Sequence, residues 1–248
     1  MNGPEMILQI TFAGLVAGML GTGFGGALAL MFIKPSHKTL GMMLGFSAGI
    51  MLSIIFLELL QEAMAAGFFY AALGLLLGIL IFVSLDRFFP HHHFVSEEKQ
   101  ESRYIKKGIL IATGIALHNL PEGLAIGAGF ASSTSMGITL VALIALHNIP
   151  EGLAVAVPLN MGGLSRFRSL GVALMAGLPM GVGALLGALI GNISPPFLAF
   201  SLSFAGGAML YIVCDELVPD IFELTNAYIA ITGVTAGVLT GMLMVHYL

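Results

Sequence analysis

The chain has 248 residues, 58% of them hydrophobic and 9% charged, with a formal net charge of -4. Its mean hydropathy is +1.01. A soluble domain carries about 25% charged residues, so a water-soluble globule is excluded. The net negative charge and the lack of a basic patch exclude nucleic-acid binding. A single cysteine, Cys214, excludes an internal disulfide framework and every cysteine-cluster zinc site. An all-α polytopic membrane protein remains.

A spanning helix needs roughly 20 apolar residues. Eight stretches qualify in chain order: 6–32, 40–65, 67–89, 108–131, 136–160, 168–191, 196–219 and 226–247. Gly, Pro, Ser and Asn clusters or charges separate most of them. The boundary near Gly67 is the weakest, because almost nothing polar marks it. Glu5 stands where a signal peptide carries positive charge, so the first stretch is expected to remain as a span.

The basic residues sort by side. Lys34 and Lys38 follow span 1. Arg87, Lys99, Arg103, Lys106 and Lys107 lie around the connection between spans 3 and 4, and Arg166 and Arg168 lie between spans 5 and 6. With eight spans, all of them face one side, which the positive-inside rule makes cytoplasmic. Both termini are then extracytoplasmic. The chain reads as a single transmembrane domain over 1–248, with a cytoplasmic loop at 90–107 that holds His91, His92 and His93. Those histidines are expected either to collect or sense cytoplasmic metal or to be a solvated loop.

Two internal repeats stand out. Ala116–Ala125 reads ALHNLPEGLA and Ala145–Ala154 reads ALHNIPEGLA, nine of ten positions identical. Adjacent spans run in opposite directions, so the copies are antiparallel. A fainter match aligns Gly49–Glu62 with Gly207–Asp220 through the Gly, a Met-Leu pair, a Glu-Leu pair and a closing acid. Inverted repeats of this kind mark secondary transporters. The pattern pairs spans 1–3 with 6–8 around spans 4 and 5.

His118 and Glu122 are four apart and share a helix face, and His147 and Glu151 repeat the arrangement. Each pair falls near mid-span. A carboxylate at that depth costs roughly 2.5–3.5 kcal/mol, and no Lys or Arg lies near the middle of any span to pair with it. A divalent cation meets that need, and imidazole with carboxylate suits Zn, Fe, Co or Mn. Pro121 and Pro150 free the carbonyls of Leu117 and Leu146 and kink both helices. Gly123 and Gly152 allow close helix approach. Asn119 and Asn148 add amide oxygens beside the histidines. A lone membrane histidine is often only a helix–helix hydrogen-bond partner, but two near-identical copies point to a built site.

The doubled HNLPEG and HNIPEG motif in an eight-span chain closely resembles the ZIP (zinc/iron-regulated transporter-like) family of divalent-metal transporters, and Ser47–Glu62 with the short cytoplasmic loop resembles its prokaryotic GufA-like branch. The resemblance implies uptake of zinc or a related divalent cation through the plasma (inner) membrane into the cytoplasm. It implies a site of His118, Asn119, Glu122, His147, Asn148 and Glu151. It also implies an elevator-like carrier in which spans 1, 4, 5 and 6 slide against 2, 3, 7 and 8, usually in a homodimer. Zinc is then cargo and no cofactor is expected. Family members with two metals carry an Asp and a Glu where this chain has Asn148 and Leu178. One well-held metal and a weak or empty second position are therefore expected.

Other acids have two readings each. Glu58 and Glu62 either draw cations to an entrance or snorkel to the outer interface. Glu216, Asp220 and Glu223 share a face near the inner end of span 7 and read as an exit path. Glycines spaced by four, such as Gly14/Gly18 and Gly183/Gly187/Gly191, read as helix-packing positions. Broader iron, manganese or cadmium transport is an alternative. So is an intramembrane zinc-dependent enzyme, but the H-E-x-x-H arrangement is absent and the symmetric ligands leave no distinct general base, so no enzyme is expected.

Overall fold

The computed structural model describes residues 3–31, 36–88 and 100–248. Every regular element among the described residues is helical. The helices are α1 (Pro4–Met31), α2 (His37–Ser53), α3 (Leu60–Phe88), α4 (Gln100–Ser132), α5 (Thr134–Met161), α6 (Arg166–Ala176), α7 (Pro179–Gly191), α8 (Pro195–Ile212), α9 (Val218–Leu224) and α10 (Ala227–Tyr247). A π-helical turn, Ile54–Leu59, joins α2 to α3, and a second, Val213–Leu217, joins α8 to α9. These turns fall inside the two copies of the fainter repeat, so both copies share a local backbone distortion as well as residues. Local signals set several helix starts. The hydroxyls of Ser36 and Ser133 and the side-chain oxygen of Asn226 accept from the amides of Thr39, Met136 and Ile229, which satisfies donors that a helix N-terminus leaves open.

Among the described residues, seven helical stretches are long and apolar enough to cross a bilayer. One of them, His37–Leu85, has 49 residues. As a straight helix it would reach about 73 Å, more than twice a hydrocarbon core of about 30 Å. Its backbone leaves the helix at Gly67, with φ 164° and ψ 103°, the boundary that the sequence marks least. Phe68 and Phe69 beside this corner are exposed.

Two other differences from the sequence reading appear. Residues 100–107, expected in the cytoplasmic loop, form the first turns of α4, while His91, His92 and His93 lie outside the described residues. The stretch 168–191, expected to be one helix, is interrupted between Ala176 and Pro179. Pro179 has no amide hydrogen and its ring crowds the preceding turn.

The helices pack as two groups. In one, α4 lies on α5 and α7, and α1 lies on α5, α6 and α7. In the other, α2 lies on α10, and α3 on α8. The groups meet where α8 crosses α4 and α2 crosses α5. Close backbone approach explains the seams within each group. A methyl at Gly123 would sit 2.0 Å from the Met180 carbonyl oxygen, and one at Gly152 would sit 1.9 Å from that of Thr22. Corresponding contacts join α2 to α10 at Gly237 and α3 to α8 at Gly78. Among the described glycines none makes such an approach across the α4–α8 or α2–α5 boundary.

Bulky apolar side chains such as Ile50, Met51, Leu140, Leu143 and Met180 fill the interior. Phe12, Phe24, Phe167 and Tyr228 point outward, as lipid-facing positions of a polytopic membrane protein require. The buried polar residues are few, and the six residues of the doubled motif are among them.

Candidate metal centre

α4 and α5 pass through Pro121 and Pro150 as continuous helices. Their antiparallel contact brings the doubled motif face to face. Each histidine bonds the glutamate of the other helix. His118 Nε2 lies 2.9 Å from Glu151 Oε2, and His147 Nε2 lies 2.9 Å from Glu122 Oε1. All four side chains are at most 2% exposed. The Nδ1–H of His147 donates to the Leu143 carbonyl at 3.2 Å. That bond orients the ring and turns Nε2 to the site, the usual outer support of a ligating imidazole. With Nδ1 so engaged, a hydrogen must occupy the Nε2–carboxylate contact, a position that a cation would take over.

His118, Glu122 and Glu151 offer ligand atoms that all lie within 4.8 Å of one another. A tetrahedral ion with bonds of about 2.1 Å holds its ligand atoms about 3.4 Å apart, so side-chain rotations of roughly 1 Å would close this set around zinc. Donor atoms remain open. His118 Nδ1, Glu122 Oε2 and Asn148 Oδ1 are buried without a hydrogen-bond partner, a condition that a native interior tolerates only with a specific reason. The two asparagines bond each other. Asn148 Nδ2 donates to Asn119 Oδ1 at 3.2 Å, and Asn119 Nδ2 donates to the Ala176 carbonyl at 2.9 Å.

Two groups from outside the motif reach the centre. Ser47, fully buried on α2, donates to the His147 carbonyl at 3.0 Å and to Glu151 Oε1 at 3.3 Å. Its one hydroxyl proton is shared between them. Glu216, on the second π turn, places Oε2 4.0 Å from His118 Nδ1. In the sequence Ser47 stands out only as the start of the segment Ser47–Glu62. Its polarity inside the apolar run of α2 was the available signal, but which helix faces it is a matter of tertiary packing.

The remaining candidates lie apart from this core. Glu58 is half-buried in the first π turn, and Glu62, near its end, accepts from the Ser132 hydroxyl at the close of α4. Asp220 and Glu223 are exposed on α9, beyond Glu216. Leu178 occupies the break between α6 and α7.

Fold and centre define a polytopic helical membrane protein with a buried imidazole–carboxylate cluster. A model of the family described as ZIP zinc transporter matches residues 90–246. The chain is 39% identical to "Zinc transporter ZupT" of Chlorobium luteolum, over 90% of this chain and 91% of that one. It is 32% identical to "Zinc transporter ZupT" of Stenotrophomonas maltophilia, over 94% of each. "Zinc transporter ZTP29" of Arabidopsis thaliana is 32% identical over 90% of this chain and 88% of its own. The chain belongs to the ZIP zinc transporter family.

Proposed function

We propose that this protein carries zinc, or a closely related divalent cation, across the bilayer through the centre formed by His118, Glu122, His147 and Glu151. The crossed histidine–glutamate pairs carry this reading. They put two carboxylates in a fully buried pocket with open donor atoms, and the relatives' names say that they transport zinc. A dication with imidazole and carboxylate ligands replaces hydrogens in these contacts. The set lacks thiolates, and it therefore releases its ion more readily than a structural zinc site.

Movement of α1, α4, α5, α6 and α7 against α2, α3, α8 and α10 would open the centre to each side in turn. The glycine seams support this division, since they join α4 to α7, α5 to α1, α2 to α10 and α3 to α8, and none among the described glycines crosses the α4–α8 or α2–α5 boundary; the α2–α10 and α3–α8 pairs are joined through the π turns. The packing also pairs up under exchange of the repeats: α2–α10 with α8–α3, α4–α7 with α5–α1, and α4–α8 with α5–α2. In this reading Glu62 guards the entrance, and Glu216, Asp220 and Glu223 line the exit.

Eight spans with both termini outside complete the proposal. The break at Gly67 supports the count. The Ser135 hydroxyl donates to the carbonyl of Leu248, which supports a C-terminus at the end of the bundle opposite the basic start of α4. Zinc uptake into proteoliposomes, read by an entrapped zinc dye, tests the function. Saturable uptake that His147→Ala removes is the expected result, and equal uptake by wild type and variant overturns the site.

A further inference from the structure

We propose that the hydroxyl-rich corner between α4 and α5 is an outer latch: Ser132 on Glu62, and Ser135 on the Leu248 carbonyl, hold the two helix groups together at the outer end, and both bonds must open before a cation enters from outside. The latch rests on the transport reading above and adds to it the contacts that shut one end.

Only Ser133 separates α4 from α5, within the run Ser132-Ser133-Thr134-Ser135. Three of these hydroxyls have distinct partners. Ser133 accepts from the Met136 amide and so caps α5. Its neighbours reach away from the corner. The Ser132 hydroxyl donates to Glu62 Oε1, in the first turn of α3. The Ser135 hydroxyl donates to the Leu248 carbonyl at 2.8 Å, at the end of α10. α4 and α5 belong to one helix group, and α3 and α10 to the other. Both bonds therefore cross the boundary between the groups, one from each side of Ser133.

The corner moves as one piece. Phe130 and Leu140 lie so close against Gly137 and Gly129 that neither glycine has room for a side chain. Holding or releasing the corner thus holds or releases α4 and α5 together, with the centre they carry. Among the described glycines none interlocks backbone across the α4–α8 or α2–α5 boundary, so directed polar bonds weigh more in setting its resting position. The bond to Glu62 is the stronger of the two, because a hydrogen bond to an ionised carboxylate is about twice as strong as a neutral one.

The fainter repeat indicates which end is shut. Glu62 aligns with Asp220. Glu62 is half-buried against the corner, whereas Asp220 is exposed on α9. Aligned acids in such unlike surroundings mean that the two ends of the bundle are in different conditions, with the outer end closed on Glu62.

Cross-linking tests the latch on the full chain in bacterial cells, in a Cys214→Ser background that removes the one native thiol. In Glu62→Cys/Ser132→Cys, a short bifunctional methanethiosulfonate is expected to join the two positions without added zinc. Zinc uptake should then fall to the level of cells without the protein, and return with dithiothreitol. The purified, cross-linked protein should still bind zinc in a titration. Thiols that are labelled singly but never joined, uptake that continues after complete cross-linking, or cross-linking that abolishes zinc binding overturns the proposal. If the reduced double variant does not fold or does not transport, Ser132→Ala in the native chain decides. Its half-saturation for external zinc should fall by up to about tenfold, because a larger fraction of molecules is open to the outside. Its zinc affinity in detergent should not change. A lower unfolding midpoint with an unchanged or higher half-saturation marks a merely structural bond and overturns the latch. Uptake that survives His147→Ala overturns the transport reading instead, whatever the latch variants show.

Discussion

His118 bonds Glu151 and His147 bonds Glu122, so each half of the doubled motif completes its hydrogen bonding only through the other helix, at 2.9 Å in both cases. Removing one partner therefore strands its mate as a buried polar group. Glu122→Ala or His147→Ala should abolish zinc uptake in proteoliposomes. Breaking a buried pair in this way should also cost about 3–5 kcal/mol of stability. Monodisperse, helical variants by size exclusion and circular dichroism, with no uptake, are the expected result.

Protons and the cation compete for the same nitrogens. A histidine must be neutral to ligate, so zinc affinity should be full above the ordinary imidazole range and fall by roughly tenfold or more per unit below about pH 6. Isothermal titration from pH 5 to 8 checks this, together with proton release read from buffers of different ionisation enthalpy. A flat affinity over that range argues against imidazole ligands.

Ser47 ties α2 to the ligand Glu151 across the boundary between the two helix groups. Ser47→Ala removes a hydrogen bond to a carboxylate and leaves the ligands in place. Its cost in stability should be about 1.5–3 kcal/mol, seen as a lower unfolding midpoint without zinc. The upward shift of the midpoint on adding zinc should survive, since the ligands do.

The family resemblance implies acids where this chain has Asn148 and Leu178. Leu178→Glu combined with Asn148→Asp supplies two carboxylates that the chain lacks, and calorimetric stoichiometry should rise from one zinc toward two. An unchanged stoichiometry counts against the expectation of a weakened second position.

The glycine seams give a structural control. A side chain at Gly183 would put its Cβ 2.1 Å from the Leu120 carbonyl oxygen, while Gly171 has nothing within 4 Å. Gly183→Val should prevent folding or shift α7 off α4. Gly171→Ala, within α6, should be neutral or stabilising by up to about 1 kcal/mol. Expression and unfolding midpoints in detergent distinguish the two.

Much of this was legible in the residues. Composition and run length give a polytopic helical protein, and the repeat of His118/Glu122 as His147/Glu151 locates the centre, because helix period and antiparallel spans are local properties. The crossing of the pairs was not legible, since it depends on the approach of α4 and α5. Nor was the break at Ala176: Pro179 signals it, but an apolar stretch of spanning length masks it. Ser47 and Glu216 come to the centre from α2 and the second π turn, and no spacing in the chain announces contacts between residues so far apart. Gly67 shows the opposite case: a turn barely marked by polarity that a 49-residue helix makes unavoidable.

The most direct test is anomalous diffraction at the zinc edge from zinc-loaded crystals of the wild-type chain. The account predicts a peak between α4 and α5 with His118, Glu122, His147 and Glu151 around it, lost in Glu122→Ala. A zinc peak confined to the acids Asp220 and Glu223, with the crossed pairs intact and unoccupied, would contradict it.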